Sequence, residues 1–127
     1  MTKTIVWLGL VFLLILGACV CSQIFIDKSS AAIGAALTPL DGAAQRGDWP
    51  ETRAVYDRAK AGWEKAEKLW KMILDHEEIR DVEAGFAELG KTIELEDGEQ
   101  TGQKLAALLF YLHRVPENRE LSPENIL

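Results

Sequence analysis

The residues with the greatest chemical potential lie in the acidic run Asp75–Glu78, which holds one of the two histidines of this 127-residue chain. A histidine beside converging carboxylates can bind a divalent metal or transfer a proton. On one helix, however, residues three and four apart share a face, so His76 does not converge with Asp75 and Glu78 unaided. The other histidine, His113, could complete a site from a second helix. We predict a structural role, a capping box at a helix start, and hold a metal or small-ligand site at Asp75, His76, Glu78 and His113 as the alternative.

Nucleophilic catalysis finds little support in the sequence. Both cysteines, Cys19 and Cys21, lie in an apolar N-terminal segment, so the remainder of the chain has no thiol nucleophile and no disulfide. The serines outside that segment, Ser29, Ser30 and Ser122, have no histidine at a recognisable catalytic spacing. The sequence also lacks a glycine-rich phosphate loop. We therefore predict a protein that is not an enzyme and has no cofactor.

The apolar N-terminal segment runs from Ile5 to Ile26 without a charged residue. As a helix it would be about 33 Å long, enough for a hydrocarbon core about 30 Å thick. We predict a transmembrane anchor at residues 5–26, a short cytoplasmic N-terminus at residues 1–4 and a folded domain at residues 27–127. Lys3 favours a cytoplasmic N-terminus, which places that domain outside the cell membrane.

An alternative for this segment is a cleaved lipoprotein signal. The residues Leu16-Gly-Ala-Cys19 resemble a bacterial lipobox, in which the cysteine is lipidated after cleavage. The apolar run continues through Val20–Ile26, however, where lipoproteins are usually polar. It is also longer than the apolar core of a cleaved signal peptide. The sequence therefore favours an uncleaved anchor, with lipidation of Cys19 as the alternative.

The charge of the predicted domain limits its partners. Lys3 is the only charged residue before Asp27, so residues 27–127 carry 13 of the 14 basic side chains and all 20 acidic ones, a net charge of −7. An acidic domain repels the phosphates of nucleic acids. We therefore predict that the chain does not bind nucleic acid.

Helical periodicity dominates the remainder of the chain and indicates an all-α fold. The strongest pattern covers residues 48–74, where Asp48 is the predicted N-cap and the apolar stripe includes Trp63 and Trp70, which we interpret as core residues. Before it, Thr38-Pro39 predicts either a kink or a helix that starts again. Later apolar stripes lie at residues 79–93 and 105–112, the last ending before Pro116. Short connections favour an antiparallel helical bundle, whose first helix continues from the anchor or follows it.

Several motifs resemble those of a known family. They are Gly47-Asp-Trp49, the run Trp63–Trp70, Asp75-His-Glu-Glu-Ile79 with Glu83 following, and the ending Leu121–Leu127. In these the chain resembles the DUF4363 family of small membrane-anchored bacterial proteins, in which an N-terminal apolar segment precedes a short helical domain. The resemblance implies this architecture and work beside other envelope membrane proteins, without an activity. The chain departs from it at Pro39-Leu-Asp-Gly42 and at Gly85 and Gly90, because better helix formers are expected there.

From these patterns we predict a membrane-anchored, non-enzymatic interaction protein of the bacterial cell envelope. Its partners would be the lipid bilayer, through residues 5–26, and another envelope membrane protein. The sequence does not single out any partner-binding residue. The alternatives are an envelope sensor that binds a metal or small ligand at His76, and a lipoprotein lipidated at Cys19.

Overall fold

The computed structural model describes residues 1–119, with side chains up to residue 114. It contains four helices: α1 (Thr2–Gln45), α2 (Trp49–Ile73), α3 (His76–Glu94) and α4 (Gly98–Arg119). Residues 1–119 contain no strand, so the predicted all-α fold is confirmed. The connections are only two or three residues long, which makes successive helices antiparallel. Each helix packs against its two neighbours, and α4 closes the bundle against α1. The predicted ending motif Leu121–Leu127, and Ser122 within it, lie outside the described residues.

Helix α1 is one continuous helix that contains both the apolar segment and the first helix of the bundle. The alternative of a new start at Pro39 is wrong, because the helix runs through Pro39 to Gln45. Proline removes one hydrogen bond to the carbonyl four residues earlier. That carbonyl belongs to Ala35, which lies with Pro39 on an exposed face where water can replace the lost donor. Leu37 and Leu40, on the opposite face, are fully buried and fix the helix against its neighbours.

The start of α2 follows the predicted capping pattern. Gly47 ends α1 in the left-handed region at φ 71°, a conformation that favours glycine. The Asp48 side chain then accepts a hydrogen bond from the Glu51 N–H at 3.3 Å. The predicted stripe faces the core, with Trp63 and Trp70 at 2% and 0% exposure. Both the N-cap and the core interpretation of these tryptophans are confirmed.

The start of α3 agrees with the predicted break but not with the predicted capping chemistry. Asp75 occupies the N-cap position, yet its side chain makes no capping hydrogen bond. The cap predicted at the Asp75 side chain is therefore wrong. The next helix start shows the cap that the sequence reading missed: the Asp97 side chain accepts a hydrogen bond from the Gln100 N–H at 3.1 Å.

Helix α4 extends beyond its predicted apolar stripe, since it runs through Pro116 to Arg119. Pro116 has no N–H to donate to the carbonyl of Leu112, four residues earlier. The Ser30 hydroxyl of α1 donates to that carbonyl at 2.5 Å. A residue 82 positions away thus satisfies the carbonyl that proline leaves open.

An aromatic cluster forms the centre of the core. The rings of Trp63 and Trp70 meet edge-on with centroids 5.0 Å apart, and Trp63 stacks on Phe86 of α3 at 6.1 Å. Such arrangements place the positive edge of one ring against the negative face of another, or offset two faces. The cluster joins α2 to α3. Apolar side chains of all four helices surround it, including Ile33, Leu37, Leu40, Val55, Ile79, Val82, Leu89, Leu105, Leu108 and Leu112.

Two glycines on α3 allow neighbouring helices to approach closely. A Cβ at Gly85 would lie 2.9 Å from Cδ1 of Leu108, and one at Gly90 would lie 2.5 Å from the hydroxyl of Tyr56. These distances are shorter than van der Waals contact, so any larger residue must displace its neighbour. Glycine therefore occupies positions 85 and 90, in place of better helix formers, because the packing of α3 leaves no room for a side chain there.

Candidate functional site

The four residues proposed as alternative ligands are not gathered into one site. Asp75 and His76 are exposed at the α2–α3 connection, Glu78 is half-buried on the first turn of α3, and His113 is exposed on α4. Among residues 1–114, no three or more His, Cys, Asp or Glu side chains lie close enough together to hold a metal ion. The geometry thus gives no support to the metal-binding alternative, which stays a prediction.

A cavity of about 520 Å³ lies between α1 and α4 and includes one of these residues. Its lining consists of Asp27, Ser30, Ala31, Gly34, Leu109, Leu112 and His113. The surface is mainly apolar, with one carboxylate and one imidazole as its titratable groups. The Ser30 hydroxyl already donates to the Leu112 carbonyl, so it holds the helices together and is not a free nucleophile.

Two adjacent serines, Ser29 and Ser30, connect three helices. The Trp70 indole N–H of α2 donates to the Ser29 hydroxyl at 2.9 Å, and that hydroxyl lies 3.2 Å from the Ile26 carbonyl, to which it donates. Ser30 makes the contact to α4 described above. Both serines fall within the apolar period of Ile26 and Ile33, the one signal in the sequence that could have placed them on the packed face. They fix the positions of α2 and α4 along α1.

A pair of carboxyl groups joins α2 to α3. A hydrogen bond between the two side chains lowers the pKa of Glu67 and raises the pKa of Glu83. Burial adds to the raised pKa of Glu83 and opposes the lowered pKa of Glu67. The Lys71 ammonium, 3.1 Å from a Glu67 oxygen, lowers both pKa values. The pair can hold one proton between two acids. The sequence motifs include Glu83 without indicating this pair, because its partner lies on another helix.

A family model described as "Domain of unknown function (DUF4363)" matches residues 20–126. The chain belongs to the DUF4363 family. The match begins inside the apolar segment and covers all the bundle helices, so the resemblance seen in the sequence motifs is confirmed. Searches of curated proteins and of solved structures found no match.

The N-terminal half of α1 in this DUF4363 chain differs in exposure from everything that follows. Every residue from 1 to 21 is exposed, and the apolar stretch is long enough to cross a membrane as an anchor or to act as a signal sequence. Burial against the bundle begins at Ser22 and is complete at Ile26. The DUF4363 bundle therefore covers the last turn of the segment predicted to lie in the membrane.

Proposed function

We propose that this chain is a membrane-anchored, non-enzymatic interaction protein of the bacterial cell envelope. The observation that carries the proposal is the continuity of α1, whose exposed apolar half leads without a break into the packed half. A helix that is apolar on all sides and uncovered by protein is stable in lipid and poorly stable in water. The protein would therefore hold a folded helical domain at a membrane surface.

The proposed partner is another envelope membrane protein. The anchor passes into α1 of the bundle with no linker, so the bundle keeps a fixed orientation relative to the bilayer. A fixed acidic domain can select a partner that presents a complementary surface at the same height.

Membrane anchoring and sidedness can be tested together in intact cells. With Cys19 and Cys21 changed to serine, Glu64→Cys would introduce one thiol on the exposed face of α2 and Thr2→Cys one thiol before the anchor. We expect the protein to stay in the membrane fraction after alkaline carbonate. An impermeant maleimide should label Glu64→Cys in intact cells and Thr2→Cys only after lysis. Extraction by carbonate, or the reverse labelling order, would contradict the proposal.

The interaction role needs a separate measurement. A photo-crosslinking residue at exposed bundle positions such as Arg58 or Glu64 should capture the same envelope membrane protein repeatedly. The matched control is a crosslinker at Leu13 within the apolar segment, which should capture lipid-embedded neighbours only. If every bundle position yields only random products, the interaction role is wrong while the anchor stands.

Lipidation at Cys19 is the second candidate, and the fold is compatible with it. Cleavage before Cys19 would remove only exposed residues and leave the first packed residue, Ser22, in place. The mature mass decides between the two forms. A mass equal to the full chain supports the uncleaved anchor, whereas a shorter, lipid-bearing chain that Cys19→Ser abolishes supports the lipoprotein.

A further inference from the structure

Two hydrogen bonds fix how far the bundle reaches down α1. The Trp70 indole N–H bonds to Ser29, and the Leu112 carbonyl accepts from Ser30. Each bond places a residue of α2 or α4 at the same height as its partner on α1. Because α2 and α4 run antiparallel to α1, each further residue along them descends by about 1.5 Å toward the apolar end of α1.

The α2–α3 connection is consequently level with the end of the apolar segment. Ile73, the last residue of α2, follows Trp70 by three positions, so it lies at about the height of Ile26 of α1, and the chain turns back into α3 just beyond it. The burial of α1 agrees independently, since Ser22, Gln23 and Phe25 are half-buried and Ile26 is 0% exposed. We call residues 72–77, together with Asp27 and Lys28, the base of the bundle.

The charges of the base exclude it from the hydrocarbon core. Asp75, His76 and Glu77 are all exposed, and an ionised side chain at the centre of a bilayer costs about 2.5–3.5 kcal/mol or more. The hydrocarbon must therefore end before this level, and Cys21 is the last residue before the bundle begins to cover α1. The uncovered apolar helix from Ile5 to Cys21 is then about 26 Å long, slightly less than a typical core of about 30 Å. No part of the uncovered helix therefore extends beyond the hydrocarbon core, so the bundle must lie directly against the bilayer surface.

We propose that the base of the bundle lies in the lipid head-group layer and binds it directly, so that lipid head groups are a partner of the folded domain as well as of the anchor. This inference rests on the proposed membrane anchoring. Met72, 81% exposed at the bottom of α2, supplies an apolar contact at the boundary. The base holds three exposed carboxylates, Asp27, Asp75 and Glu77, against the one ammonium group of Lys28. Its net negative charge favours the ammonium groups of zwitterionic head groups over anionic head groups.

The experiment places spin labels on the full-length chain, with Cys19 and Cys21 changed to serine, reconstituted into vesicles of zwitterionic phospholipid. Met72→Cys probes the base and Leu95→Cys is the matched control, because Leu95 is an exposed apolar residue, 66% accessible, at the opposite end of α3. Ile15→Cys reports the anchor. The measured quantity is the ratio of collisions with oxygen to collisions with a water-soluble nickel complex, which increases with depth in the membrane.

We expect the ratio at residue 72 to be intermediate between a high value at residue 15 and a low, aqueous value at residue 95. In vesicles of anionic lipid the ratio at residue 72 should fall. Equal values at residues 72 and 95 with a deep residue 15 would overturn this inference and leave the anchor intact. An aqueous value at residue 15 would overturn the anchoring as well. A ratio at residue 72 that is unchanged or higher in anionic lipid would overturn the head-group preference.

Discussion

Gly90 is a helix position where the usual effect of a glycine-to-alanine change should be reversed. In an exposed helix interior the change stabilises a protein by about 1 kcal/mol, because alanine is the better helix former. At Gly90 the new Cβ would lie 2.5 Å from the Tyr56 hydroxyl and 3.0 Å from its Cζ. That hydroxyl donates to the Phe86 carbonyl at 2.7 Å, and the Tyr56 and Phe86 rings pack at 6.1 Å. The ring cannot move away without losing these contacts.

The expected size of the effect follows from three contributions. Overpacking costs about 1–3 kcal/mol, and loss of the tyrosine hydrogen bond costs about 1 kcal/mol. The gain in helix propensity offsets about 1 kcal/mol. Gly90→Ala should therefore lower the free energy of unfolding by about 1–3 kcal/mol. Gly62→Ala is the matched control: Gly62 is an exposed glycine inside α2, and a Cβ there would meet nothing within 4 Å.

The assay is denaturant unfolding of the full-length chain in micelles, followed by the fluorescence of the buried Trp63 and Trp70. Gly62→Ala should raise the midpoint and Gly90→Ala should lower it. In a Tyr56→Phe background, which alone should cost about 1 kcal/mol, Gly90→Ala should be less harmful because the closest atom has been removed. The reasoning is refuted if Gly90→Ala is as stable as Gly62→Ala, or if the effects of Tyr56→Phe and Gly90→Ala simply add.

The other predictions concern packing, a buried hydrogen bond and pH. Gly85→Ala should destabilise the protein by about 1–3 kcal/mol, because its Cβ would lie 2.9 Å from Cδ1 of Leu108; the unfolding midpoint measures this. Ser30→Ala should lower the free energy of unfolding by about 1–3 kcal/mol, because it leaves a buried α4 carbonyl without its donor. The control is Thr38→Ala, which removes an exposed hydroxyl that bonds within its own helix. It should change the free energy of unfolding by less than about 0.5 kcal/mol. The pKa of Glu83 is raised in the folded state, so binding of its proton stabilises the fold. This stabilisation is complete below pH 4.5, the ordinary pKa of the group, and is lost as the pH rises through the raised pKa. Glu83→Gln keeps a hydrogen-bond donor without the charge, so its Tm should exceed that of the native protein at pH 8 and the difference should shrink toward pH 4.5.

Each of these comparisons has a result that contradicts it. A neutral or stabilising Gly85→Ala would mean that α3 and α4 are not closely packed at that point. Equal costs for Ser30→Ala and Thr38→Ala would remove the special role given to the inter-helix hydrogen bond. A Glu83→Gln variant whose Tm follows the native pH profile would show that the two acids do not share a proton.

The sequence by itself determined the features that depend on local pattern. The length and lack of charge of Ile5–Ile26 identify it as an apolar segment. Residue type and position identify the Asp48 cap, and the spacing of Trp63 and Trp70 identifies the core face of α2. Each of these three features depends only on residues within a few helical turns of one another, so a local pattern is enough to predict it. The family assignment also followed from such short motifs.

Only the tertiary structure decided the features that depend on residues far apart in the chain. A proline predicts the end of a helix, yet α4 continues through Pro116 because Ser30, 82 positions from Leu112, donates to the open carbonyl. Gly90 is a poor helix former, and its presence is explained only by the Tyr56 ring, which occupies the space that a side chain at position 90 would need. The level of the α2–α3 connection, beside the end of the apolar segment, follows from the bond between Trp70 and Ser29. Such contacts leave no periodic signal, because each partner satisfies its own local pattern and only packing brings the two together.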